Sequence, residues 1–270
     1  MKIQDFGQID TPILLFGGVY SNLHALEALW IWAERAGIPE QNRICTGDIV
    51  AYCADAAHCL DILLNSGSQI IAGNCEEQLA ADADDCGCGF DAGSACSLYS
   101  VAWYRHARAQ MSDDLRRYMA ALPSVAVIEH FGKRYAIIHG GASETARFLW
   151  SVSSETLLQR EIDILNEVFG SIDGVIAGHS GIPFERMVGD VHWINAGAIG
   201  MPAHDRSPDT HFAVLRNGAL TFHQLKYDAA AAQTRMIEVG LTQGYHETLI
   251  SGVWPSEDTL PEELHHSANG

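Results

Sequence analysis

Arg43-Ile44-Cys45-Thr46-Gly47-Asp48 is a short apolar run that stops at a glycine and an acid. Three other stretches are built the same way. Residues 69–72 run into Gly73-Asn74, residues 135–138 into His139-Gly140, and residues 174–177 into Gly178-His179. Runs this short, β-branched and bounded by glycine read as buried strands. An Asp, an Asn and two His then fall at the ends of four strands, where layered α/β sheets place their ligands. One carboxylate, one amide oxygen and two imidazoles make a coherent ligand set for Mn, Fe or Zn. The candidate metal ligands are therefore Asp48, Asn74, His139 and His179.

Working outward, strand and helix signals alternate. Residues 12–16 read as the first strand. Ser21 or Asn22 is placed to cap a helix whose Leu23, Leu26, Leu29, Trp30 and Ala33 fall at helical spacing. A second strand–helix unit runs from Arg43 through residues 54–64, and a third strand ends at Gly73. Helices are expected near 97–108, 112–122 and 155–169, and strands at 125–130, 135–139, 174–177, 192–195 and 211–215. Asn217-Gly218 is a strong hairpin signal into a last strand at 220–225. Such a pattern predicts an α/β chain, a sheet sandwich flanked by helices. The chain reads as one domain, residues 1–270, with a core at about 12–227. A C-terminal helical extension and polar tail follow at 228–270.

The order and wording of these fragments resemble the calcineurin-like metallophosphoesterases, of the small bacterial phosphoesterase type, from about Ile13 to Tyr227. Gly47-Asp48 is similar to that family's GD motif, whose Asp bridges two metals. Gly73-Asn74-Cys75-Glu76 is similar to GNH[DE], His139-Gly140 to its lone His, and Gly178-His179-Ser180-Gly181 to GHxH. Residues Asn195-Ala196-Gly197-Ala198-Ile199-Gly200-Met201-Pro202 resemble its NPGSxGxP loop. The resemblance implies a two-sheet metallophosphoesterase-like β-sandwich and hydrolysis of a phosphoester by a metal-activated water.

The departures from the pattern fall together. The family opens with DxHGN; here the equivalent is Gly18-Val19-Tyr20-Ser21-Asn22. The second His of GHxH is Gly181, and the His of GNH[DE], which helps the leaving group, is Cys75. The first metal thus keeps only Asp48, whereas the second keeps all four ligands. One divalent transition ion is expected, with two as the alternative. Cys75 and Tyr20 are the catalytic candidates in place of the missing groups. Gly17, Gly18 and Asn22, at a strand end that opens a helix, are candidates for phosphate binding. The competing reading is a catalytically inactive relative that binds a phosphorylated ligand, a nucleotide or a metal.

Composition narrows the rest. At 270 residues and 47% apolar, the chain can bury a full core. A formal net charge of −18 argues against a nucleic-acid partner, which needs Lys and Arg to neutralise phosphates. Phosphorylated small molecules or phosphoproteins are the expected partners. No apolar run approaches a membrane span and no basic leader precedes an apolar stretch, so a cytoplasmic location is expected. Seven cysteines, an odd number, argue for reduced thiols. Cys86-Gly87-Cys88 lies in an acid- and glycine-rich stretch, 82–90, that reads as a loop over the site entrance, with extra metal or redox chemistry as the alternative. His192, His204 and His211 could also reach the site, and His204, Asp205 and Arg206 could line its mouth. Glu76 and Glu77 read as helix-capping carboxylates.

Overall fold

The structure, a computed structural model, describes residues 1–88 and 93–266; Gly89 and Phe90 of the cysteine-rich stretch and the last four residues of the tail lie outside them. Among the described residues, eleven strands form two sheets. The first is a five-stranded sheet in the order β11-β10-β2-β3-β4. It comprises β2 (Ile13–Phe16), β3 (Arg43–Cys45), β4 (Gln69–Ile70), β10 (Thr210–Arg216) and β11 (Ala219–Leu225). The second is six-stranded, in the order β1-β5-β6-β7-β9-β8. It comprises β1 (Ile3–Gln8), β5 (Val125–His130), β6 (Lys133–Ile138), β7 (Gly174–Ala177), β8 (Phe184–Val188) and β9 (Val191–Asn195).

Side-chain alternation along each strand decides which layer it serves, because successive residues point to opposite faces. Ile13, Leu15, Ile44, Ile137, Ile176 and Ile194 share the core between the sheets. Leu14, Phe16 and Cys45, one residue out of phase, face the helices α1 (Leu23–Arg35) and α2 (Ala56–Asn65) on the outside of the first sheet. Ala136, Ile138, Val175 and Ala177 meet Leu158, Ile162 and Leu165 of α6 (Glu155–Phe169) outside the second. Each fully buried Leu or Ile contributes about 1.5–3 kcal/mol over its exposed state. The two sheets, their central strands buried on both faces, thus form the sandwich that the sequence predicts.

Local signals explain the element ends. Asn22 accepts the Ala25 N–H at the start of α1, and Ser112 and Ser154 do the same for α5 (Asp113–Ala121) and α6. Asn217 and Gly218 both adopt positive φ in the β10–β11 turn, as a two-residue hairpin requires. β1 and β8 carry no clear period-2 pattern and were not expected. β1 is an exposed edge strand paired in parallel with β5, and β8 is the opposite edge, with an exposed Met187. The remaining helices are α3 (Asn74–Ala80), α4 (Ala95–Ala109), α7 (Ala229–Glu238) and α8 (Tyr245–Ser251). Among the described residues, no helix is long and apolar enough to cross a membrane.

Candidate metal centre

β3 and β4 are parallel neighbours in one sheet, and β6 and β7 are parallel neighbours in the other. The loops leaving these four strands meet at one edge of the sandwich and bring Asp48, Asn74, His139 and His179 together. His139 is the hub. Its Nε2 lies 3.1 Å from Asn74 Oδ1, 3.1 Å from His179 Nδ1 and 3.3 Å from Asp48 Oδ2. Its other nitrogen, Nδ1, is 2.6 Å from the Thr46 carbonyl oxygen, so it donates there and the neutral ring presents a bare lone pair at Nε2. Four acceptor atoms then converge on one buried point. Asp48, His139 and His179 form the cluster of acidic and imidazole groups close enough to share an ion among the described residues. A divalent cation is the species that satisfies such a set, and the donors fit Mn, Fe or Zn.

The electrostatics agree. Burial opposes the charge of Asp48, but His139 and then His179 outweigh it and hold the carboxyl well below the usual range. Burial likewise works against a charged His139, and Asp48 overrides it and lifts the imidazole above its ordinary value. His179 is held low, chiefly by burial. A proton and a cation therefore compete for the same lone pairs.

The chain holds these groups by unusual backbone. Asp48 and His179 both sit at positive φ, 52° and 61°, uncommon for residues with a side chain. Gly47 makes this possible: a Cβ there would lie 2.5 Å from Gly73 N and 2.8 Å from His139 Nδ1. Glu76, a carboxylate expected only to cap a helix, does more. It accepts from Gly73 N–H (2.8 Å) at the start of α3, and also from Asp48 N–H (2.8 Å) and Val50 N–H (3.0 Å). Burial, with Asp48 nearby, pushes it up to about 7 against these bonds. Only its position three residues into a helix was a usable signal. Glu77, by contrast, accepts from the Thr145 hydroxyl.

The thiols stand behind Asn74. Its Nδ2 donates to the Cys86 carbonyl (2.9 Å) and lies 3.3 Å from Cys88 Sγ and 3.6 Å from Cys75 Sγ. These contacts fix the amide so that Oδ1 faces His139. Cys86 and Cys88 are buried, so this part of the loop packs behind a ligand and does not hang over the entrance. Cys75 sits on the nitrogen side of Asn74, away from the converging acceptors. Cys88 favours its ionised form, but burial and Asp48 outweigh that and push the thiol up.

The other half of the cleft is rebuilt. Tyr20 is buried, and its ring lies over Gly18, where a Cβ would come within 2.6 Å of it and 2.7 Å of Ala198 Cβ. The volume that a carboxylate at position 18 would use is occupied. Beside it opens a hollow lined by Tyr20, Tyr52, His179, Gly181, Tyr245 and Trp254 among others. Burial, then Asp48, Cys75 and Cys88, raise Tyr20 well above the ordinary phenol, so it keeps its proton.

The expected phosphate-binding groups are otherwise engaged. Gly18 N–H donates to Gly47 O (3.1 Å), while the carbonyls of Gly17 and Gly18 accept from Ile199 and Gly200. Asn22 spends its oxygen on the α1 cap and its nitrogen on Gly200 O (3.0 Å). This turn is a structural clamp between the first strand and the loop at 195–202, and it leaves no amide nest for an anion at Gly18 or Asn22. The remaining histidines serve elsewhere. His192 pairs with Glu185 (2.8 Å), His211 lies 3.9 Å from Asp205, and His204 binds Glu257 (2.8 Å). Arg206 N–H donates to Gly252 O, so 204–206 fasten the C-terminal segment and do not line the hollow.

Comparison with solved structures places this architecture. A metallophosphoesterase from Sphaerobacter thermophilus superposes with a TM-score of 0.69 at 20% identity, over 91% of this chain and 100% of that one. A hypothetical protein from Pyrococcus horikoshii OT3 superposes with a TM-score of 0.70 at 16% identity, over 89% of this chain and 98% of that one. No family profile matches the chain, and no curated protein does. The two-sheet sandwich is therefore the metallophosphoesterase fold, as the motifs implied.

Proposed function

We propose that this chain is a metal-dependent phosphoester hydrolase that works with one divalent transition ion held by Asp48, Asn74, His139 and His179. The observation that carries the reading is the convergence of three ligand-type atoms, from Asp48, Asn74 and His179, within 3.1–3.3 Å of His139 Nε2. The fold shared with a metallophosphoesterase supports it. When bound, such an ion supplies Lewis acidity towards a phosphoryl oxygen and lowers the pKa of its water.

The chain's own residues do the rest. Thr46 fixes the tautomer of His139, Glu76 pins the backbone that carries Asp48, and the thiols orient Asn74. Tyr20 keeps its proton and stands where first-metal ligands are missing, so it is the better donor of a hydrogen bond to an ester oxygen. Cys75 acts through Asn74 as a positioning residue. A chain of net charge −18 repels anions at large, so a cation in this one place selects where a phosphate binds. Phosphorylated small molecules are the preferred substrates, with phosphoproteins second.

One observation favours an inactive binding protein instead: the Tyr20 ring fills the volume of the first metal's carboxylate. A screen of phosphate mono- and diesters with Mn-loaded protein separates the two. Turnover that disappears in His179→Ala and weakens in Tyr20→Phe supports hydrolysis; binding without turnover supports the inactive reading.

A further inference from the structure

The hollow beside the metal centre has a definite chemistry. Among the described residues that line it, none is Lys, Arg, Asp or Glu. Its walls are rings that brace one another: Tyr20 meets Tyr52 edge-on at 4.8 Å, Tyr52 meets Tyr245 at 4.5 Å, and Phe148 leans on the ligand His179 at 4.3 Å. Gly181, where the motif resemblance would put a histidine, leaves the floor open. A Cβ there would meet Tyr20 Oη at 3.6 Å, Trp254 Cζ2 at 3.7 Å and Ala198 Cβ at 3.9 Å, all ordinary contacts. Glycine at this position leaves space bounded by a phenol and an indole.

The roof is fastened in place. Trp254 Nε1 donates to Pro202 O (2.7 Å), and Trp254 N–H donates to His204 Nδ1 (2.8 Å). His204 then donates from Nε2 to Glu257 (2.8 Å). The C-terminal segment therefore arrives pre-positioned over the hollow, and a ligand entering it does not meet the cost of ordering the roof. Described walls without a charged group hold no phosphate by themselves. They adjoin, through His179, the proposed metal centre.

We propose that the rebuilt half of the cleft is a ring-binding pocket that takes the planar aromatic group of a phosphate ester whose phosphate lies at the metal centre. This deepens the hydrolase reading and rests on it. Aromatic walls favour a flat ring, which stacks or meets them edge-on. The ring enters next to His179, so it sits close to phosphorus, as in an aryl ester. A nucleobase, held further off by its sugar, is the other source of the same chemistry.

The test is calorimetric titration of the full-length, Mn-loaded chain with methyl phosphate, phenyl phosphate and adenosine monophosphate. Phenyl phosphate should bind about tenfold more tightly than methyl phosphate, since a buried ring adds apolar area. That ratio should fall towards one in Trp254→Ala, which removes a wall, and in Thr259→Phe, which adds bulk to the lining. Equal affinity of adenosine monophosphate and phenyl phosphate would assign the ring to a nucleobase; weaker binding of the nucleotide would assign it to a simple aryl group. Equal binding of methyl and phenyl phosphate overturns the pocket and leaves the hydrolase reading standing. Binding of none of the three overturns both.

Discussion

The two halves of one cleft have been kept in opposite ways. On the side of Asp48, Asn74, His139 and His179, side chains come from four strand ends, and the backbone bends into left-handed conformations to present them. On the side of Gly18, Tyr20 and Gly181 stand a buried ring and a hollow whose described lining carries no Lys, Arg, Asp or Glu. The first half is held by polar geometry, in which Glu76, Thr46 and the thiols each fix one ligand. The second is held by packing.

The comparison breaks most readily on the polar side. His139→Ala or Asp48→Asn should remove the bound ion and lower turnover by about a hundredfold or more, because each takes away a group aimed at the reacting centre. Elemental analysis and steady-state rates check this together. Glu76→Ala should leave three buried N–H groups unpaired and cost about 3 kcal/mol or more in urea denaturation. If that variant is as stable as the parent, the polar half is not braced as described.

The packed side sharpens the contrast. Gly18→Asp alone should destabilise by about 1–3 kcal/mol, since its side chain meets Tyr20 and Ala198, and should recruit no second ion. Combined with Tyr20→His and Gly181→His, which remove the ring and add ligands, it should raise the stoichiometry towards two ions per chain. Cys88→Ala should loosen Asn74 and weaken metal affinity about tenfold with the fold retained, the usual scale for a group supporting a ligand. Metal competition with a chelating dye reads that change.

Much of this was legible in the sequence. The four converging side chains were readable because each closes a short apolar run. The strand ends and the Asn22, Ser112 and Ser154 caps follow from local chemistry. β1 and β8 were not readable, since edge strands need no alternating pattern and neither has one. Glu76 was half-legible: its helix position signalled a cap, but its grip on Asp48 and Val50 spans 26–28 residues and comes only with the fold. The thiols were misplaced because an acid- and glycine-rich stretch suggests an exposed loop, whereas Cys86 and Cys88 are drawn in by Asn74. Gly18 suggested a free amide, and the Gly47 carbonyl that accepts from it belongs to the next strand end, far away in sequence.

The smallest expected effect concerns the roof of the hollow. Burial lowers the pKa of His204, Glu257 opposes this, and His266 and His265 reinforce it. A base whose folded value is depressed contributes stability that is complete above its ordinary value of about 6.5 and is lost as pH falls towards the folded value. Hydrogen exchange in residues 252–266 should therefore quicken below about pH 6.5 before the sandwich itself responds. Uniform quickening throughout the chain would contradict the clasp.

The most direct measurement is the transition-metal content of the full-length chain purified without added metal and again after incubation with Mn, alongside Asp48→Asn. The account predicts about one ion per chain, lost in the variant, from the single intact ligand set. Two ions would contradict the rebuilt half, and none after Mn incubation would contradict the metal centre itself.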